Sequence, residues 1–122
     1  MQGFRRLHVW EKAHDLTLEV YQATVRFPKE EIYALSSQTK RAASSIGANI
    51  AEGCGRGSDA DFARFLLIAM GSASELEYHL LLARDLKFLP EEDYQRLDAL
   101  ATEVKRMLGS LIQKTRGRTA VG

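Results

Sequence analysis

The sequence predicts an all-α protein, an antiparallel up-down-up-down four-helix bundle, on three observations. Apolar residues recur every three or four positions through four separate segments, the period of amphipathic helices. The two prolines, Pro28 and Pro90, fall between those segments, so no helix is broken internally. No stretch shows the alternation and evenly spaced turns of a β-sheet. Four helices on short connections pack most simply as neighbours running up and down.

The first helix is predicted over about 9–27. Val9, Trp10, Ala13, Leu16, Val20, Ala23 and Phe27 form one face, with Glu11, Lys12, Asp15, Glu19 and Gln22 opposite. Pro28 disfavours helical geometry at Phe27 and ends it. Residues 29–34 form a connection with a short helical turn near Glu30–Tyr33. Ser36 or Ser37 is the expected N-cap of the second helix and Gly53 its left-handed C-cap. The loop around Gly55 turns the chain back, and Ser58 with Asp61 forms a capping box for the third helix.

The third helix is predicted over about 59–86, roughly 42 Å long. Phe62, Leu66, Ala73, Leu76 and Leu80 occupy one side, Ile68 and Leu82 another, Leu67, Tyr78 and Leu81 a third. A helix apolar all round is central to a large core, spans a membrane, or is shared between subunits. The chain is short of helices to surround it, and Glu75 and Glu77 interrupt it, so sharing between copies is expected. Leu89–Asp93 opens the fourth helix, with Pro90 in its first turn and acids at its positive dipole end. Tyr94, Leu97, Ala101, Val104, Leu108 and Leu111 form its core stripe. The helix is expected to fade at Gln113, leaving one domain over 1–113 and a flexible basic tail over 114–122.

With 122 residues, 45% hydrophobic and 27% charged, the chain suits a single domain. Cys54 is its only cysteine, which leaves no disulfide or Cys-based metal site. No apolar run approaches the ~20 residues of a membrane span, and nothing resembles a signal peptide; a reduced, cytoplasmic protein is expected. The net charge of +1 is low for a dedicated nucleic-acid binder. It is unevenly spread: residues 1–58 carry eight Lys/Arg against six Asp/Glu, and residues 114–122 carry three Lys/Arg and no acid.

The second helix divides into three stripes. Leu35, Thr39, Ala42, Ile46, Ile50 and Gly53 are core; Ala43, Gly47 and Ala51 are small enough for another backbone to come close; Gln38, Arg41, Ser45, Asn49 and Glu52 are polar. With Arg56 beyond it and Glu75 as an expected partner of Arg41, the polar stripe is the leading candidate site. It serves either as a hydrogen-bonded seam fixing register or as a groove gripping a phosphate, a base edge or a partner's backbone.

Several segments resemble a known family. They are Leu7–Ala13, Phe27–Glu31, Gln38–Arg56 and Phe65–Glu77, and the most specific string is Arg41, Ser45-Ile46, Asn49-Ile50-Ala51-Glu52-Gly53 and Arg56, followed by Gly71-Ser72 and Glu75. These resemble the bacterial four-helix-bundle proteins encoded in intervening sequences of large-subunit ribosomal RNA genes. That family is in turn similar to the accessory variability proteins of diversity-generating retroelements, barrel-like pentamers that associate with a reverse transcriptase and nucleic acid. The resemblance implies a non-enzymatic homo-oligomer, with a pentamer the leading state, and either RNA or DNA or a nucleic-acid enzyme as partner. The retroelement group is strongly basic and this chain is near neutral, which weakens the transfer of nucleic-acid binding.

Other chemistries have little support. A carboxylate-bridged metal bundle needs two Glu-x-x-His pairs, and Glu11 with His14 is the single one, off the core stripe. The glycine loop lacks the Gly-Lys-Ser/Thr ending of a P-loop, and Cys54 has no paired histidine. No enzyme, metal or cofactor is therefore predicted. Arg5, Arg6, Arg56, Lys114, Arg116 and Arg118 are the candidate nucleic-acid contacts, individually weak but additive in a symmetric ring. Trp10 is expected in packing rather than in base stacking.

Overall fold

The structure, a computed structural model, describes residues 3–121. A 3-10 turn at Phe4–Arg6 leads into α1 (His8–Thr24), and a second at Lys29–Glu31 leads into α2 (Leu35–Gly55); α3 (Asp59–Asp85) and α4 (Glu91–Val121) follow. The described residues contain no strand. Each long helix packs on two others, so that α1 lies diagonally across from α3, and α2 from α4.

Contacts between helices give their directions. Trp10 faces Gly47 while Thr17 bonds the Ala43 carbonyl, so α1 and α2 run antiparallel. Gly53 touches Phe62 and Phe65 while Ser45 meets Ser72. Met70 faces Gly109 while Glu77 meets Lys105. Arg96 reaches back to Glu19. The up-down order closes on itself. Leu16, Ile46, Ile50, Leu66, Leu76, Leu80, Leu97 and Leu108 fill the centre.

Helix ends follow local chemistry. The last turn before Pro28 tightens, with Arg26 and Phe27 N–H bonding Ala23 and Thr24 carbonyls, so α1 stops at Thr24 rather than Phe27. The expected serine cap of α2 is not used. Ala34 holds the cap position, and the Glu31 carboxylate accepts from the Leu35 N–H at 3.2 Å. Ser58 caps α3 as predicted, its hydroxyl accepting from Asp61 N–H at 3.2 Å. Pro90 lies one residue ahead of α4, and its carbonyl accepts the Tyr94 N–H.

Two further sequence expectations are corrected. Gly53 is not a C-cap: α2 continues to Gly55, and the left-handed glycine is Gly57 at φ 87°. Gly53 instead sits where α2 and α3 come closest. A Cβ there would lie 2.9 Å from Phe65 Cβ and 3.0 Å from the Phe62 ring. The helical chain also does not end at Gln113, since α4 runs on to Val121. Thr115 is fully buried with its hydroxyl on the Leu111 carbonyl, and Arg118 reaches Asp59 at 3.3 Å. Met1, Gln2 and Gly122 lie outside the described residues.

One helix, α3, is long and apolar enough to cross a membrane by length and composition alone. Its inner face is packed as bundle core, with Phe62, Leu66, Ala69, Ala73, Leu76 and Leu80 buried. Its outer face is not covered: Leu67, Ile68, Tyr78 and Leu86 are exposed.

The α3–α4 turn is built on a non-glycine residue. Lys87 takes φ 67°, with its N–H on the Arg84 carbonyl and the Phe88 N–H on the Ala83 carbonyl, the paired bonds of a Schellman cap. An L-residue in this left-handed geometry costs about 1–2 kcal/mol. Glycine relieves that cost and loses part of the gain to its freer unfolded chain. Lys87→Gly is expected to raise the unfolding free energy by about 0.5–1 kcal/mol. Gly53→Ala is expected to lower it by about 1–3 kcal/mol by overpacking. Urea titrations followed by circular dichroism measure both, and an unchanged Gly53→Ala midpoint would contradict the close approach.

Candidate functional site

The polar stripe of α2 separates into two parts. Ser45 and Asn49 turn toward α3. The Ser45 and Ser72 hydroxyls bond each other at 2.8 Å, and the Asn49 amide donates to the Ser45 carbonyl at 2.8 Å and to its hydroxyl at 3.0 Å. These half-buried groups satisfy one another, and a satisfied network between two helices fixes register. Gln38, Arg41 and Glu52 are exposed. Arg41 bonds Ser37 at 3.2 Å, and Glu52 pairs with Arg56 at 3.4 Å. Glu75 is not brought to Arg41: its carboxylate lies 3.7 Å from His79 Nε2.

His79 is a feature that the apolar pattern of α3 hides. The side chain is buried, and its Nδ1 has no hydrogen-bond partner. The signal available in the sequence was the four-residue step from Glu75 to His79, which places both on one side of the helix. Glu11 and His14 are exposed on α1, His14 stacking on Trp10 with ring centroids 4.9 Å apart. No group of three or more His, Cys, Asp or Glu converges among the described residues.

The basic residues, scattered along the sequence, meet in space. An up-down bundle brings the start of α1, the end of α2, the start of α3 and the end of α4 to one end. Arg5, Arg6, Arg56, Lys114, Arg116 and Arg118 all lie there, and all are exposed. Arg56 lies over the Phe65 ring at 5.0 Å and Arg5 over Phe4 at 4.9 Å. Three acids moderate the charge, Glu52 against Arg56, Asp59 against Arg118 and Asp61 against Arg64. The opposite end gathers Glu30, Glu31, Asp85, Glu91, Glu92 and Asp93, with Arg26, Lys29, Arg84 and Lys87 among them, and is acidic only in balance.

Two hollows open at the basic end. One, about 490 Å³, is lined by Leu7, Cys54, Asp59, Phe62, Leu111 and Arg118. The other, about 380 Å³, lies between the start of α1 and α4, with Leu7, Val9, Met107 and Leu111 as its floor and Arg106 and Lys114 among its rim. Burial pushes the Cys54 thiol above its ordinary value. A thiol held protonated is a poor nucleophile. The geometry offers phosphate-binding charge and apolar contact.

The sequence profile of the family described as "23S rRNA-intervening sequence protein" matches residues 5–110. The chain belongs to that family. Among similar solved structures is a crystal structure of a protein of unknown function from the S23 ribosomal protein family of Bacteroides thetaiotaomicron. It is 32% identical, with a TM-score of 0.77 over 85% of this chain and 97% of that one. None of the curated proteins matches. No enzyme family is indicated by these relatives.

If Ser45, Asn49 and Ser72 hold register, Ser72→Ala is expected to cost about 1 kcal/mol. Arg41→Ala, on an exposed side chain bonded to Ser37, should change stability by less than about 0.5 kcal/mol. Thermal melts of the two variants side by side check this, and a reversed ranking would place the structural role on the exposed half of the stripe.

Proposed function

We propose that this protein is a non-enzymatic, cytoplasmic homo-oligomer that associates with nucleic acid through the basic end of its bundle. The supporting observation is the convergence of Arg5, Arg6, Arg56, Lys114, Arg116 and Arg118 at one end, despite a net charge of only +1. A closed ring sets every basic end on one rim, so that single weak phosphate contacts add. Kinship to proteins described by a 23S rRNA intervening sequence favours RNA as the nucleic acid. The exposed apolar strip on α3 supports the oligomer, with a pentamer as the leading state by resemblance to the retroelement accessory proteins.

A second reading is a protein-binding adaptor for a nucleic-acid enzyme such as a reverse transcriptase. The mostly apolar groove over Leu7, Val9, Met107 and Leu111 favours it. A stable partner that co-purifies at native expression, and is lost with Met107→Glu, would support this reading over the first.

On the nucleic-acid reading, purified protein retards structured RNA at about 50 mM salt and releases it steeply as salt rises, because phosphate contact displaces counterions. Arg6→Glu combined with Arg116→Glu should weaken binding at least about tenfold and flatten the salt slope. The absence of any retardation at low salt rejects the proposal.

A further inference from the structure

We infer that the outer face of α3 in one copy docks against the outer face of α1 and the turn that follows it in the next copy, head to tail. This rests on the homo-oligomer reading and names the surfaces that make it.

Among the described residues two exposed apolar patches stand out. On α1 and the following connection, Leu18, Tyr21, Val25, Ile32 and Tyr33 face water, Val25 at 81% and Tyr33 at 97% exposure. On α3 the set is Leu67, Ile68, Tyr78 and Leu86, Tyr78 at 60%. Large apolar side chains gathered on one face mark contact surfaces. The patches sit on diagonally placed helices, so they cannot cover each other within one chain. An interface in which a face meets its own copy would cover one patch and leave the other wet. Two different patches meeting across copies cover both.

Their heights along the bundle overlap at the Tyr78 half of the α3 patch, while Leu67 and Ile68 extend beyond the start of the α1 patch. Thr17 is level with Ala43 through its hydroxyl bond, and Ser45 is level with Ser72. With α2 and α3 antiparallel, Thr17 lies level with about Ser74. Leu18, Tyr21 and Val25 therefore stand at the height of Glu75, Tyr78 and Leu82. Docking patch to patch needs little rise per copy, which suits closure rather than a climbing filament.

Shape and charge are complementary. Beside Tyr21, Val25 and Ile32 lies a hollow of about 260 Å³, whose edges include Lys29 and Lys40. The Lys40 ammonium sits 5.3 Å over the Tyr21 ring. The α3 patch projects Tyr78 as a knob, with the exposed carboxylates of Glu75 and Asp85 on the same helix. By the same register Lys40 is close in height to Glu75, while Lys29 in the connection after α1 and Asp85 at the end of α3 share one end of the bundle. Opposite charges at matched heights fix orientation and exclude wrong registers.

The hollow also fixes the direction of curvature. Ser36 and Lys40 of α2 line it together with α1, so the α1 patch leans round toward α2. On α3, Ile68 stands one turn from Ser72, which meets α2, so the two patches are less than half a turn apart on the α2 side. Successive copies turn toward that side, and α2, with its short exposed residues Ser44 and Ala48, faces the inside of the ring.

The test uses the full chain in a Cys54→Ser background, with Leu18→Cys, Tyr78→Cys and the two combined, treated with a short bismaleimide. Circular dichroism first establishes that each variant folds. A covalent ladder in the double variant, with none in either single variant, is the expected result. A cross-linked dimer in a single variant means that a face meets itself, and overturns the inference while leaving oligomerisation intact. An oligomer that cross-links in no variant overturns it in the same way. Light scattering of the unmodified protein at the 13.7 kDa of one chain overturns both this inference and the oligomer reading. Independently, Lys40→Glu is expected to shift dissociation to about tenfold higher concentration, and adding Glu75→Lys to restore it; no restoration counts against the pairing of the two faces.

Discussion

The close approach of α2 to α3 is the constraint from which the remaining packing follows. It exists because the facing positions are small: Gly53 against Phe62 and Phe65, and Ser45 against Ser72. A backbone brought this near has little tolerance for sliding, and the Ser45–Asn49–Ser72 bonds remove what remains. On its other flank α2 meets α1 through Ala43 and Gly47, where a Cβ on the glycine would lie 3.3 Å from Trp10 Nε1. A helix with such short flanks is held by its neighbours at close range on two sides. It carries few long side chains with which to cover α3, whose outer face is left bare.

That bareness links packing to function. α3 buries a full inner face and still shows Leu67, Ile68 and Tyr78 to water. The apolar surface faces sideways while the charge is sorted along the bundle axis, basic at one end and acidic at the other. Lateral association and axial charge therefore do not compete for the same surface. The proposed ring and the proposed phosphate contacts are compatible for that geometric reason.

Much of the fold was legible because it rests on periodicity. The inward residues of α1 and of α4 through Leu108 fall where their apolar spacing puts them, though Ile112 rather than Leu111 is the buried residue beyond, and Ser58 caps α3 by the local chemistry of a serine three residues ahead of an acid. Gly53 was misread because glycine serves both as a left-handed cap and as a gap for a neighbour, and local sequence does not distinguish the two. The extension of α4 was hidden because residues 114–121 hold only one large apolar residue. Their visible ties are the buried Thr115 and the Arg118 pairing with Asp59, contacts between positions far apart in sequence. The polar stripe was recognisable as a unit, yet its division into a bonded half and a solvated half depends on where α3 lies. The basic end was written as unrelated arginines, and only the chain's reversals bring them together.

The lone tryptophan supplies an optical consequence. Trp10 is the only residue of its type, its indole wedged between Gly47 of α2, the edge of Phe4 and the stacked ring of His14. Its emission spectrum is thus a local gauge of the α1–α2 seam and of the N-terminal 3-10 turn, with no second fluorophore of its kind to blur the signal. It stands about two helical turns from Leu18 and across the molecule from Tyr78, so separation of that seam can be watched apart from events on the lateral faces.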